Sequence, residues 1–193
     1  MQAPIVKVGI VAKPTITLIL SGHKGPEARI YEGEVVISAL PDGKLSFEGK
    51  SFDTITFSPQ NESDAFTAKE VVIGVNFHWQ REEDQKFAGS ARLINNGEGK
   101  VQLINDIDVE SYLKSVISSE MSAKASLELL KAHAVISRGW LYAQIDKSKA
   151  YHAEKNEKCA MPQIPDEFLN RHDLKTIIKW YDRDDHTQFD VCA

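Results

Sequence analysis

The sequence predicts an α+β protein in which a β-rich first half is followed by a helical second half. Short runs of β-branched residues, bounded by Gly or Pro, recur up to residue 104, and the apolar spacing then changes from two to between three and four. Strands followed by helices, without alternation between them, favour an α+β fold over a parallel α/β sheet. We expect residues 1–104 to form the β-rich part and residues 105–193 the helical part and tail of one compact unit.

About eight short strands are expected in the first part of the chain. Pro41-Asp-Gly43 and Asn95-Asn-Gly-Glu-Gly99 are typical of the turns between strands, because glycine accepts the positive φ that such turns need. The predicted strands cover residues 6–11, 15–20, 34–38, 45–47, 52–57, 71–77, 87–94 and 101–104.

The first helix is expected to begin soon after the change of period at Asn105 and to end near Met121. Asp106 and Asp108 are candidate N-caps, because their carboxylates can accept hydrogen bonds from the free amides of a first turn. Glu110 falls in that turn, where the helix dipole favours a negative charge.

A second helix is expected over residues 127–144, with Ser126 as its cap. Because residues 132–143 are apolar almost all round, we expect this helix to be covered by neighbours on several sides, in a buried hairpin with the first. The polar residues 146–158 should be exposed loop or frayed helix, and residues 166–181 can hold another short helix before an irregular tail.

Composition restricts the class of protein. The chain is 42% hydrophobic with a net charge of −5, which is typical of a globular protein and argues against a nucleic-acid partner. No stretch approaches the roughly 20 apolar residues of a membrane span, so no transmembrane segment is expected. The N-terminus lacks the basic start and long apolar run of a signal peptide, and Cys159 and Cys192 make no disulfide framework.

Glu120 is the first candidate for chemistry, because it lies on the apolar stripe of the first helix, three and four residues after Ile117 and Val116. A carboxylate among apolar neighbours is desolvated, which raises its pKa and suits it to act as a general acid. The alternative is that Glu120, near the end of its helix, reaches solvent or pairs with a lysine. Spacing alone leaves both interpretations open.

Two further patterns carry weaker signals. Arg138 lies in the most apolar part of the second helix and shares a face with Lys131, so a cationic stripe can face Glu120 if the helices form a hairpin; an exposed basic stripe is the alternative. His186 and Cys192 are residue types that bind zinc, but they supply only half of a four-ligand site.

The segments Asn105-Asp-Ile-Asp-Val-Glu-Ser-Tyr-Leu-Lys-Ser-Val-Ile-Ser-Ser-Glu-Met121 and Glu128-Leu-Leu-Lys-Ala-His-Ala-Val-Ile-Ser-Arg138 resemble the signature of the stage II sporulation protein D (SpoIID/LytB) family. The resemblance implies a peptidoglycan lytic transglycosylase, which cleaves the β-1,4 bond between N-acetylmuramic acid and N-acetylglucosamine in strands stripped of their stem peptides. The substrate's own 6-hydroxyl closes onto the anomeric carbon, so one acid/base is enough and the product is a 1,6-anhydro sugar.

Carried onto this chain, the resemblance makes Glu120 the acid/base, with Arg138 and Lys131 as contacts for Glu120 or the glycan. The substrate-binding candidates are Trp79, Ser119 and His133, the last at a position where the family usually has Gln. Core packing is the preferred interpretation for Trp140 and Tyr142, since their helix is apolar all round.

The family also implies a setting. We expect an exported, periplasmic or cell-envelope protein whose signal peptide is not part of this sequence, with glycan strands as partner and a cell-wall amidase as a possible second one. No cofactor is expected for the chemistry. His186 and Cys192 match part of a structural zinc pattern whose second Cys would lie beyond Ala193.

Two other functions stay open. A non-catalytic glycan-binding or amidase-modifying module would keep the same scaffold without its chemistry. A zinc hydrolase would use the ligands of the tail instead of the glutamate.

Overall fold

The computed structural model confirms the predicted α+β fold. It describes residues 3–61, 63–74, 78, 80–122, 124–154 and 188–192, and over these ranges the chain forms eleven strands, two α-helices and one short 3₁₀ helix at Pro26–Ala28. The strands are β1 (Ile5–Lys13), β2 (Thr15–Lys24), β3 (Ile30–Ala39), β4 (Leu45–Phe47), β5 (Lys50–Phe52), β6 (Thr54–Pro59), β7 (Ala65–Ile73), β8 (Arg81–Ala88), β9 (Ser90–Asn95), β10 (Val101–Asp108) and β11 (Val191–Cys192). The helices are α1 (Val109–Glu120) and α2 (Leu127–Glu154).

The strands pair in the order β11-β1-β10-β9-β6-β2-β3-β4-β5, and β7 joins β2 to β8. All the pairs are antiparallel except that of β11 with β1. The two predicted turns are confirmed, with Gly43 at φ 84° and Gly97 at φ 85°. The sequence missed most of β8 because its start, Arg81-Glu-Glu-Asp84, is charged and exposed, so it lacks the apolar alternation of a half-buried strand.

The boundary between strand and helix differs from the prediction, because Asn105 to Asp108 belong to β10 rather than to the first helix. Two polar side chains find partners across the sheet that sequence spacing does not show. The buried Asn105 amide donates to the carbonyls of Ala88 at 2.8 Å and Ser90 at 3.2 Å, and Asp106 accepts two hydrogen bonds from Arg92. These contacts satisfy polar groups that would otherwise end a buried strand.

Two apolar clusters hold the described residues together. The larger lies among the strands and includes Phe57, Phe66 and Leu93. The smaller lies under the helices, where Leu113 of α1 and Leu141 of α2 pack against residues of β1, β10 and β11. This second cluster seats both helices on one end of the sheet and therefore sets the position of every side chain they carry.

The expectation that α2 is covered on several sides is wrong. Leu141 and Ile145 are buried, but Val135 is 67% exposed and Ile136 is 70% exposed. His133, Ser137 and Arg138, the polar exceptions in the apolar run, are less exposed than these and lie at the spacing of the face that carries Leu141. The helix also continues to Glu154, ten residues beyond the predicted end at Gln144.

The described end of the chain, residues 188–192, lies along β1. The amide of Asp190 donates to the Lys7 carbonyl at 2.8 Å, and its carboxylate accepts from the Lys7 amide at 2.9 Å. Val191 is buried with the helices, which brings Cys192 to the region where the helices meet the sheet.

Candidate active site

A cavity of about 1030 Å³ opens between the two helices and the sheet. Tyr112, Val116 and Glu120 of α1 form one side, and Ile136 and Trp140 of α2 form another. Residues of β8, β1 and β10 complete the lining. The volume is at the upper end of the roughly 300–1,000 Å³ of typical ligand sites, so it suits an oligomeric ligand better than a single small one.

Glu120 is the last residue of α1 and lines this cavity. Its side chain is 58% exposed, so the carboxylate reaches solvent, and the expectation that the apolar stripe desolvates it is wrong. The stripe turns toward the sheet at Leu113, whereas the final turn of the helix projects past the core. The alternative interpretation, that Glu120 reaches solvent near the end of its helix, is confirmed, and its partner is a histidine instead of a lysine.

His133 of α2 is the partner of Glu120. Its Nε2 lies 3.0 Å from Oε2 of Glu120, and its side chain is only 22% exposed. Nδ1, on the other side of the ring, is buried and has no hydrogen-bond partner among the described residues. His133 is not among the residues that line the cavity, and it contacts Glu120 from α2; its contact with substrate stays a prediction.

Tyr112 interacts electrostatically with Glu120. Burial raises the pKa of the Tyr112 phenol, and the negative charge of Glu120 adds to the increase, followed by that of Cys192. The phenol therefore stays protonated and can donate a hydrogen bond inside the cavity. Sequence reasoning placed Tyr112 on the apolar stripe without giving it a role; its spacing of eight residues from Glu120, two helical turns, was the signal.

Arg138 and Lys131 have partners other than Glu120. Arg138 donates two hydrogen bonds to Glu110 of α1, from Nε at 3.1 Å and from an Nη at 2.5 Å, and this pairing raises the pKa of its guanidinium. Lys131 pairs with Glu128 on its own helix at 2.9 Å and is 61% exposed. The predicted pairing of these cations with Glu120 is therefore wrong, because Arg138 pairs with Glu110 across the helix interface and Lys131 pairs with Glu128 within its own helix. Their contact with the glycan stays a prediction.

The remaining predicted site residues divide into two groups. Ser119 lines the cavity, and its hydroxyl donates within α1 to the carbonyls of Ser115 and Val116, at 3.0 Å each. Trp79 and His186 lie outside the described residues.

Cys192 lines the cavity beside the helices, and burial raises the pKa of its thiol. Within the described ranges, no group of three or more His, Cys, Asp and Glu side chains is placed to hold a metal ion. The zinc site therefore stays a prediction.

Trp140 has a different role from the expected one. It is 46% exposed and lines the cavity, and Tyr142 is 37% exposed, so core packing is wrong for both. An aromatic ring on the wall of a cavity offers a flat apolar face against which a sugar ring can stack. Phe87 of β8 also lines the cavity, with its ring stacked on that of Phe66. The all-round apolar character of the helix had hidden this role.

Comparisons with known proteins give one match. Residues 97–180 match the model of a family described as SpoIID, stage II sporulation protein. The matched segment contains the parts of α1 and α2 that line the cavity. It also contains Glu120, His133 and Arg138. Neither the curated proteins nor the solved structures contain a match to this chain. In the part of the chain that is described, no helix is both long and apolar enough to cross a bilayer.

Proposed function

We propose that this chain, whose residues 97–180 match the SpoIID family model, is a peptidoglycan lytic transglycosylase. The family assignment supports a sporulation-related role at the cell wall and is compatible with export. The proposal adds the reaction: cleavage of the β-1,4 bond between N-acetylmuramic acid and N-acetylglucosamine, with 1,6-anhydro-N-acetylmuramic acid as product.

The observation that carries the proposal is Glu120, held by His133 at the wall of a cavity with aromatic faces. Asp84 of β8 is the other carboxylate of the lining, but it accepts a hydrogen bond from the Glu70 amide at 2.9 Å and so serves the β7–β8 pairing. A retaining glycosidase needs two carboxylates about 5 Å apart, one as acid and one as nucleophile. A single working carboxylate fits a reaction in which the substrate supplies the nucleophile.

The chemistry balances with Glu120 alone. Protonated Glu120 donates its proton to the glycosidic oxygen as the bond from that oxygen to the anomeric carbon breaks. The carboxylate then removes the proton of the muramic 6-hydroxyl, whose oxygen bonds to the anomeric carbon and closes the 1,6-anhydro ring. Glu120 ends protonated, ready for another turnover, and no water is consumed.

The test is digestion of stem-free glycan strands followed by mass spectrometry of the products. Wild-type protein should release anhydro ends, and Glu120→Gln should lower the rate by about 10²–10⁴-fold, the usual contribution of a general acid/base. Asp84→Asn is the matched control, because it removes the same charge from the same cavity, and it should keep the wild-type rate. Products with ordinary reducing ends, or equal losses in both variants, would instead indicate a two-carboxylate hydrolase.

A non-catalytic glycan-binding module is the second candidate, favoured by the exposure of Glu120 and by the pairing of Arg138 and Lys131 elsewhere. Neither of these two predicted cations pairs with the Glu120 carboxylate, so it lacks the charge partner that was expected to assist an acid/base. This function predicts retention on insoluble peptidoglycan that Glu120→Gln leaves unchanged, and no released fragments. If the wild-type protein releases anhydro fragments, the binding-module function is ruled out.

A further inference from the structure

We infer that His133 is the positioning residue of Glu120 and that, by occupying Oε2, it leaves Oε1 as the carboxylate oxygen that exchanges the catalytic proton. The inference rests on the proposed function. It deepens that function by giving each oxygen of Glu120 its own role, with Oε2 as the anchor and Oε1 as the acid/base.

The contact and its surroundings define the geometry. Nε2 of His133 lies 3.0 Å from Oε2 of Glu120, which is the distance of a hydrogen bond across the gap between α2 and α1. His133 lies on the same face of α2 as the buried Leu141, so packing holds its ring, whereas Glu120 extends from a helix end. The His133 ring, held by packing, therefore orients the carboxylate of Glu120.

The buried Nδ1 selects the tautomer of the ring. A neutral imidazole carries one N–H, on either nitrogen. On Nδ1 the N–H would be a buried donor without an acceptor among the described residues, and Nε2 would then turn a lone pair toward the oxygen of Glu120. On Nε2 it donates to Oε2. His133 therefore carries its proton on Nε2.

The same contact separates the roles of the two carboxylate oxygens. The hydrogen bond from Nε2 of His133 occupies Oε2 of Glu120. Oε1 is therefore the oxygen left to exchange a proton with the glycan.

Four other titratable side chains among the described residues near the two helices are either protonated or paired. Tyr112 on α1 stays protonated, because burial and the charge of Glu120 raise its pKa. Burial likewise raises the pKa of the Cys192 thiol on β11. On α2, Lys131 pairs with Glu128 and Arg138 pairs with Glu110 of α1.

Kinetics of three variants, two at His133 and one at a nearby position, test the positioning role. His133→Phe keeps a ring but loses the donor, and should lower kcat by about 100-fold, the effect of an ångström-scale misplacement, while KM changes less than about twofold. His133→Gln restores an N–H donor, and should recover most of the lost kcat. Val135→Ala, on the exposed face of the same helix, should match the wild type.

The proton assignment has its own readout, the ¹⁵N spectrum of the His133 ring in the wild-type protein. The expected spectrum shows a protonated Nε2 and a bare Nδ1, and a spectrum with a protonated Nδ1 at neutral pH overturns the assignment. An active wild type whose kcat is unaffected by His133→Phe overturns the positioning role. An inactive wild type defeats the proposed function instead, and the ring spectrum then decides the tautomer by itself.

Discussion

Replacing Gly9 with alanine should loosen the attachment of residues 188–192 to β1. A Cβ at Gly9 would lie 2.6 to 2.7 Å from three ring carbons of Phe189. Because carbon atoms pack best about 3.5–4.0 Å apart, the ring has to move by about 1 Å. Overpacking of this kind costs about 1–3 kcal/mol. The cost falls on the terminal segment, since β1 is held on its other side by the long pairing with β10.

Hydrogen exchange at Asp190 is the direct assay. Its amide donates to the Lys7 carbonyl at 2.8 Å, so the rate of exchange reports how often the segment leaves the sheet. Each 1.4 kcal/mol of destabilisation should speed the exchange about tenfold. Amides in the middle of β10 should keep their wild-type rates, because the pairing of β10 with β9 does not involve Phe189.

Gly139→Ala is the matched control. A Cβ at Gly139 meets nothing within 4 Å, and the residue lies inside α2, where alanine is favoured over glycine by about 0.8–1.0 kcal/mol. This variant should raise the free energy of unfolding and leave exchange at Asp190 unchanged. If Gly9→Ala folds normally and also leaves that exchange unchanged, the contact between Gly9 and Phe189 does not hold the segment and the reasoning is refuted.

Three further predictions concern stability. Asp108 caps α1 by accepting a hydrogen bond from the Ser111 amide, and hydrogen bonds from Ser111 lower the pKa of its carboxyl. Asp108→Ala should therefore lower the free energy of unfolding at pH 7 by about 1 kcal/mol. In thermal melts, the difference between the variant and the wild type should disappear as the pH falls below about 4. Burial lowers the pKa of His23, whose unfolded form takes a proton near 6.5. The urea midpoint should therefore fall as pH drops from about 7.5 to 5, and His23→Phe should remove the dependence; equal slopes in both proteins would contradict it. Arg138→Met, Glu110→Gln and the double variant form a double-mutant cycle for this ion pair. The melting temperature of the double variant should fall by about as much as that of either single variant. A fall equal to the sum of the two single falls would rule out coupling.

Local chemistry made much of the fold predictable. Asp108 and Ser126 are caps in the structure as in the sequence, because a side-chain oxygen one residue before a helix can satisfy an amide that nothing else satisfies. Gly43 and Gly97 take the positive φ of their turns for an equally local reason. These features depend on neighbours three or four residues away, which the sequence displays directly.

The errors have one physical origin, which is that partners distant in sequence were invisible. Asn105 stays in a strand because the carbonyls of Ala88 and Ser90 accept its amide protons. In α2 the apolar run indicated burial, but the sheet covers only one side of the helix, so Ile136 and Trp140 form the wall of a cavity. Glu120 could be selected from the sequence signature around it. Its contact with His133 could not be predicted, because it depends on how two helices pack together.

The two contacts between the helices explain what Arg138 does for the site. Glu110 pairs with Arg138 at the start of α1, and Glu120 pairs with His133 at its end, about 15 Å farther along the helix. His133 precedes Arg138 by five residues, so α2 runs back as α1 runs forward, and the two pairs fix both the register and the rotation of α2. A turn of α2 about its axis would break both pairs together. Under the proposed function, Arg138 would therefore serve Glu120 from a distance, by holding the helix that carries His133, and a loss of activity on its replacement would not by itself show that it touches the glycan.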